Sequence, residues 1–324
     1  MKTHHRKPLV NDPFVRPDVR LFLDYLSALP GPKTYEAGPV EARRMIVASR
    51  YVADAPTGEL AVIRELNCPG PAGPIRLRLF DAREARRAGP LIVFLHGGGF
   101  VFGDLDTHEP FCAELARELD LPVLAVDYRL APENPWPAGV EDAIAAARWA
   151  AGSPAALDRQ VSGLVTCGDS AGGNFAIVVS LALRDEPAAA PVLAQWPIYP
   201  AADPATGYPS KEDFGAGYML TKPSMDWFDT CYAGDESDWR YSPMVKSQQG
   251  MPPTLVTTAS LDPIRDQGRA YAAACANAGV PVIFQEAEGN IHGFINLRRA
   301  IPSSATDIAR GVAALKLLLK DAGE

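Results

Sequence analysis

No apolar run in the 324 residues approaches the ~18 needed to cross a bilayer. The first 30 residues lack an apolar core followed by a small-residue cleavage site, so no signal peptide is expected. Cysteine is scarce and unpatterned. Cys68, Cys112, Cys167, Cys231 and Cys275 are odd in number, far apart and without a CxxC, which argues against a disulfide framework and a structural zinc site. Reduced, mostly buried thiols in a cytoplasmic protein are the expectation. Basic charge is in deficit: 31 Lys and Arg stand against 39 Asp and Glu, a formal −8 spread along the chain. Neither nucleic acid nor an anionic membrane surface is therefore expected as a partner. The only basic cluster, Lys2-Thr3-His4-His5-Arg6-Lys7, is too short for a binding arm and reads as a frayed terminus. With 47% hydrophobic and 22% charged residues, disorder is excluded too.

What is present is a regular alternation. The length fits two domains, or one large α/β domain with an insertion. Ala61–Asn67 and Ile75–Phe80 are β-like runs joined by the turn-rich Cys68-Pro-Gly-Pro-Ala-Gly, as in an antiparallel pair. Leu91–Leu95, Pro122–Val126, Val161–Cys167, Val192–Ile198, Thr254–Ala259 and Val280–Gln285 read as further strands. Between and after them, Phe111, Leu115 and Leu119 recur at helical spacing, and Val140–Ala151, Asn174–Arg184, Arg265–Ala278 and Thr306–Lys320 read as helices. Strands alternating with helices of this length predict a mostly parallel eight-stranded sheet with helices on both faces. Two segments break the rhythm. The first ~50 residues carry helical patterns (Val19–Leu29, Val40–Ala53) without a strand, and residues ~201–250 carry Pro, Gly and aromatics without a clear one. The expected division is a helical part over 1–55, a core over 56–200 and 251–324, and an insertion over 201–250.

The chemistry concentrates at two glycine-rich turns. Gly168-Asp169-Ser170-Ala171-Gly172 follows the strand Val161–Cys167 and opens a helix, the strand–turn–helix setting of a nucleophile elbow. Such a turn needs glycine on both sides of the serine and holds the serine strained with its Oγ raised. The competing reading is a serine N-cap in an ordinary loop, which does not require flanking glycines. His96-Gly97-Gly98-Gly99-Phe100 follows the strand Leu91–Leu95. Its Gly98 and Gly99 N–H groups, with that of Ala171, could form a three-donor oxyanion hole. A flexible loop or a phosphate cradle is the alternative, but a cradle would lead its glycines into a helix and often add a lysine.

With Asp127-Tyr128-Arg129-Leu130-Ala131-Pro132-Glu133, Pro137–Ala143, Gly168–Gly173, Asp262-Pro263 with Arg265-Asp266, and His292-Gly293-Phe294, these stretches resemble the hormone-sensitive-lipase-like family of α/β-hydrolases, in its bacterial (family IV) esterase branch. They run from about residue 90 to the C-terminus in the family's order. The resemblance implies an α/β-hydrolase fold and serine carboxylesterase activity. It also implies a helical cap made from the N-terminal segment and an insertion after the sixth strand, the two segments that break the rhythm. Homodimers, frequent in the family, are a further implication.

The general base follows by elimination. His4 and His5 lie in the tail, His96 sits in the glycine loop and is read as holding it by ring hydrogen bonds with Gly97 in support, and His108, opening a helix, is read as solvated or capping. His292 remains, placed after the last strand, and nucleophile–acid–histidine is the α/β-hydrolase order. Asp262, directly after Thr254–Ala259, is the expected acid. Asp266 and Glu288 compete, but Asp266 falls in a helix's first turn, where an acid is favourable without catalysis. Arg129 and Glu133 are read as a buried pair, Asp169 as a tie between the elbow and nearby backbone, and Cys167 as an inert thiol. Phe214, Tyr218, Trp227, Phe228 and Tyr232 are core residues of the insertion or lining of a pocket. An ester hydrolase acting on a small-molecule, short- to medium-chain ester, with no metal or organic cofactor, is the leading expectation. Amide or lactone hydrolysis by the same triad is second. A non-catalytic ligand-binding relative is disfavoured, since Ser170, Asp262 and His292 are all present.

Overall fold

The computed structural model describes residues 13–321; the basic cluster Lys2–Lys7, with His4 and His5, lies outside the described residues. Three helices, α1 (Pro17–Ala28), α2 (Thr34–Ala37) and α3 (Pro39–Ala53), come before β1 (Val62–Gly70) and β2 (Gly73–Asp81). Then follow β3 (Gly89–Leu95), α4 (Glu109–Leu119), β4 (Val123–Asp127), α5 (Ala138–Ala151), β5 (Val161–Asp169), α6 (Ala171–Asp185) and β6 (Val192–Ile198). Two helices, α7 (Pro209–Asp213) and α8 (Lys222–Tyr232), precede β7 (Thr254–Leu261), α9 (Arg265–Asn277), β8 (Val282–Ile291) and α10 (Ser304–Asp321). The strands form one sheet in the order β1-β2-β4-β3-β5-β6-β7-β8, antiparallel at β1, β2 and β4 and parallel from β4 onward.

The continuous apolar strands are explained by burial on both faces. Leu91, Val93 and Leu95 of β3 pack with α5 and α6, while Ile92 and Phe94 pack with α4 and α10 on the opposite face. The helix after β3 thus lies on one face, and the helix after its neighbour β5 on the other. Adjacent parallel strands whose connections diverge leave a crevice at their carboxyl ends, the place where open α/β sheets bind ligands. Leu95 is paired with Gly168, so the loops after β3 and β5 leave the sheet side by side. At the far side, Leu261 pairs with Ile291, so the residues after β7 and β8 also emerge together.

Two expected boundaries differ. The β1–β2 link is far tighter than its Pro/Gly content suggests, because Cys68, Pro69 and Gly70 stay paired with Ile75, Pro74 and Gly73. β8 does not end at Gln285 but runs to Ile291 through an irregular stretch between the pairs Ala259–Ala287 and Leu261–Ile291. Gly289, at φ +71°, makes that irregularity possible, and its N–H donates to Ser260 Oγ at 2.7 Å. As an edge strand, β8 tolerates the polar residues that hide it from a pattern search. Among the described residues no helix is long and apolar enough to cross a membrane.

α10 crosses the sheet where Gly311 meets the Trp196 ring; a Cβ there would overlap the indole. Trp196 is 1% exposed and its Nε1–H donates to Thr257 Oγ1 at 2.9 Å, so the ring has little room to yield. Overpacking costs about 1–3 kcal/mol. The better helix propensity of alanine returns at most ~1 kcal/mol. We expect Gly311→Ala to destabilise by about 1–2 kcal/mol, read as a lower urea midpoint at unchanged m-value. An unchanged or raised midpoint would show that Trp196 moves aside freely.

Candidate active site

The elbow comes from glycine packing. A Cβ on Gly168 would overlap the Gly172 carbonyl, and one on Gly172 would overlap the carbonyl oxygen of Leu95. Between them Ser170 adopts φ 56° and ψ −118°, a strained conformation for a non-glycine residue. It is held by its N–H donating to Ile198 O at 2.9 Å and its carbonyl accepting from Asn174 N at 3.0 Å. Although Ser170 occupies the N-cap of α6, its side chain makes no capping bond. Its Oγ instead lies 2.9 Å from His292 Nε2. The N-cap reading fails on that contact.

His292, directly after β8, has Nδ1 2.7 Å from Asp262 Oδ2. Asp262 follows β7, is fully buried, and its second oxygen accepts the Ile264 N–H at 2.9 Å. Both sides of the carboxylate are thus fixed, an arrangement that can hold the imidazole with Nδ1 toward Asp262 and Nε2 toward Ser170. The competing acids stand elsewhere. Asp266 binds Arg265 and Arg269 in the first turn of α9, at 2.8 and 3.3 Å. Glu288 is exposed on β8, where its carbonyl accepts from Arg16.

The loop after β3 turns on three consecutive residues of positive φ, Gly98 (+124°), Gly99 (+59°) and Phe100 (+63°). The Gly98 carbonyl accepts from Val101 N and Phe102 N, both at 3.0 Å, so the loop closes on itself. Gly97 N–H is taken by Asp169 Oδ1 at 2.7 Å, while the Gly98 and Gly99 N–H groups have no acceptor among the described residues. Ala171 opens α6, where first-turn N–H groups lack intrahelical acceptors. His96 Nδ1 lies 2.8 Å from Gly97 O, its ring stacks on Tyr128 at 4.2 Å, and its buried Nε2 has no partner among the described residues. Burial, and next the nearby His108, push its pKa down to about 4.

The insertion meets this loop through α8. The Phe228 ring packs against Gly99, and the Tyr232 ring stacks on Phe100 at 3.9 Å. Phe214 and Tyr218 pack instead with Val19, Phe22 and Leu23 of α1 and with Leu297. On the other flank Met219 reaches over Gly293. α3 is tied to the loop by Arg43, whose Nε donates to Val101 O and whose Nη2 donates to Ala131 O, each at 2.8 Å.

Two expectations are corrected. Arg129 does not pair with Glu133: it makes a bidentate contact with the buried Asp142 at 2.8 and 2.9 Å, and Glu133 pairs with Arg43 at 2.6 Å. Asp142 sits one helical turn into α5, directly under Arg129, which the linear spacing to Glu133 conceals. His108 is not solvated. It is 6% exposed, with Nε2 3.1 Å from Asp169 Oδ1. Sequence reasoning also passed over Tyr199, whose ring lies 4.6 Å from His292, and no spacing rule marks it. Asp169 does tie the elbow to backbone, at Gly97. Cys167 is fully buried, and burial raises its pKa well above the ordinary thiol value. Among the described residues no group of three or more His, Cys, Asp or Glu is placed to hold a metal ion.

A family model described as α/β hydrolase fold matches residues 92–296, more than half of the chain. Carboxylic ester hydrolase LipN of Mycobacterium tuberculosis is 42% identical over 78% of this chain and 70% of its own length. The chain belongs to the hormone-sensitive-lipase-like branch of the α/β-hydrolase family. Ethyl acetate hydrolase of Pseudomonas putida is 34% identical to this α/β-hydrolase, over 85% of it and 89% of the relative. Among solved structures, an ester hydrolase from the metagenome of Lake Arreo, complexed with a derivative of bipyridine phosphonate, superposes with a TM-score of 0.88. It is 35% identical and covers 94% of this α/β-hydrolase and 98% of its own chain.

The depressed pKa of His96 has a sign that can be tested. Unfolded, the imidazole titrates near 6.5; folded, it stays neutral down to about 4. Between those values the unfolded chain binds one more proton, so stability is fully present above about pH 6.5 and is lost as pH falls toward 4. By pH 4.5 this group alone should cost on the order of 2 kcal/mol. We expect the stability difference between pH 7 and pH 4.5 to shrink by that order in His96→Asn, in urea titrations of both proteins. Equal differences would show that His96 does not carry the linkage.

Proposed function

We propose that this α/β-hydrolase is a carboxylic ester hydrolase in which Ser170 is the nucleophile, His292 the general base and Asp262 the orienting acid. The observation that carries the reading is the His292 ring, with Nε2 2.9 Å from Ser170 Oγ and Nδ1 2.7 Å from Asp262 Oδ2, in a chain whose relatives are named as ester hydrolases. Ser170 Oγ attacks the ester carbonyl carbon as His292 Nε2 takes its proton, and the carbonyl π pair moves onto oxygen. The N–H groups of Gly98, Gly99 and Ala171 receive that oxyanion; each such donor is typically worth about 3–4 kcal/mol in the transition state. Collapse breaks the bond to the alcohol oxygen, which leaves with the proton from His292. Water, deprotonated by the same imidazole, then attacks the acyl-enzyme and returns Ser170.

The substrate is a small-molecule ester. The relative named ethyl acetate hydrolase supports a short acyl chain, and so does the closeness of Phe228 to the oxyanion loop, which limits the space above Gly99. The helices over residues 1–55 and 201–250 act together as a cap: α1 packs on Phe214 and Tyr218, and α8 packs on the loop after β3.

Ser170→Ala should lower kcat for p-nitrophenyl acetate by several orders of magnitude in a folded protein. Asp262→Asn should lower it by roughly 10⁴-fold, since the amide favours the wrong imidazole tautomer. Asp266→Asn, whose carboxylate bonds Arg265, Arg269 and Ser210, should stay within a few-fold. Near-wild-type turnover by either of the first two variants, or a dead Asp266→Asn, would reassign the site.

A further inference from the structure

Beneath the site lies a buried polar cluster that the catalytic scheme leaves unused. Its centre is Asp169, 3% exposed and adjacent in sequence to Ser170. Oδ1 accepts the Gly97 N–H at 2.7 Å and lies 3.1 Å from His108 Nε2, and Oδ2 accepts the Tyr199 hydroxyl at 3.3 Å. His108 is itself fixed from two sides. Its Nδ1 is 2.9 Å from Thr107 Oγ1, and its Nε2, whose single N–H faces Asp169, packs beside the Asn296 side chain. Asn296 belongs to the 3-10 turn Phe294–Asn296, which follows His292 and Gly293. One carboxylate therefore touches the loop after β3 directly, and reaches the histidine loop through His108 and through Tyr199, whose ring lies against His292.

Burial alone would raise the Asp169 carboxyl, yet His108 and the Gly97 N–H hold it below its ordinary value. A buried anion with few partners pulls on each of them strongly, because the low dielectric leaves its charge unscreened. Gly97 immediately precedes Gly98 and Gly99, whose N–H groups have no acceptor among the described residues. A Cβ on Gly97 would overlap the Asp169 carboxylate, so the peptide rests directly on it. Fixing the Gly97 N–H fixes the start of the turn that aims Gly98 and Gly99.

We infer that Asp169 and His108 are positioning residues for the oxyanion loop: His108 holds the carboxylate in place, and the carboxylate sets the peptide planes of the glycine turn. The inference rests on the oxyanion reading of Gly98 and Gly99. His108 touches no substrate atom in this scheme and acts only through Asp169.

The test compares kcat/KM for p-nitrophenyl acetate with that for p-nitrophenyl thionoacetate. Sulfur in place of the carbonyl oxygen is larger and a weaker acceptor, so a site whose rate depends on donors at that atom discriminates against it. The ratio of the two constants does not depend on the fraction of folded enzyme, so a purely structural loss cancels. We expect a high ratio in the wild type and a fall of about tenfold in His108→Leu, chiefly in kcat for the oxygen ester. His108→Gln, which keeps an N–H donor, should hold the ratio within about threefold of the wild type. Asp169→Asn, nearly isosteric, carries the same expectation as His108→Leu and serves where the leucine variant does not fold. A wild-type ratio retained in His108→Leu or Asp169→Asn would overturn the inference while leaving the oxyanion reading intact. A wild type that does not discriminate would remove the oxyanion reading and the inference with it.

Discussion

The site depends on the close approach of two backbones. The carbonyl of Leu95, at the end of β3, lies where a Cβ of Gly172 would be. Any side chain there would push the first turn of α6 away from β3. The loop after β3 would then separate from the elbow, and Gly97 would lose the Asp169 carboxylate. The glycines at 168 and 172 therefore do more than permit a tight turn. They set the distance between the segment that carries Ser170 and the glycine loop after β3. The strained φ of Ser170 is maintained by the same packing, which over-determines a conformation that an isolated serine would leave.

The remaining groups arrive by register. Ile291 opposite Leu261 puts Asp262 and His292 at neighbouring strand ends, and the 2.7 Å contact between them follows from that pairing. Ser170 stands three strands away, after β5, and the imidazole spans the gap. Three strand ends thus contribute one side chain each, and the helices outside the sheet hold the loops between them. Arg298 illustrates the bracing. Buried, it makes a bidentate pair with Asp54 at the end of α3, both bonds at 2.7 Å, and it also pairs with Glu114 of α4. Breaking such a buried pair leaves an uncompensated charge, so the N-terminal helices are anchored to the core rather than laid over it.

Much of this was legible in the sequence because it is local. Glycines flanking a serine between a strand and a helix, and three glycines after another strand, are requirements of backbone geometry that no other residue meets. The strands of the sheet centre are readable because burial on both faces leaves an unbroken apolar run. The rest depends on partners distant in the chain. His108 looks like a helix-opening surface histidine until the loop folds it onto Asp169. Arg129 looks like a partner for Glu133 until α5 brings Asp142 beneath it. The end of β8 was hidden because an edge strand accepts Glu288, Gly289 and Asn290 without a pattern, and because a glycine in the left-handed region normally marks a turn. α8 showed only helical aromatic spacing; that its Phe228 and Tyr232 rings meet the glycine loop is a fact of tertiary packing.

The central claim is that one serine, Ser170, forms the covalent bond to substrate. The most direct measurement treats the protein with an alkyl p-nitrophenyl phosphonate and follows residual activity together with peptide mass spectrometry. A single phosphonyl group on Ser170, with activity lost in proportion to labelling, is the expected result. Activity surviving complete labelling of Ser170, or full inactivation with the label on another side chain, would contradict it.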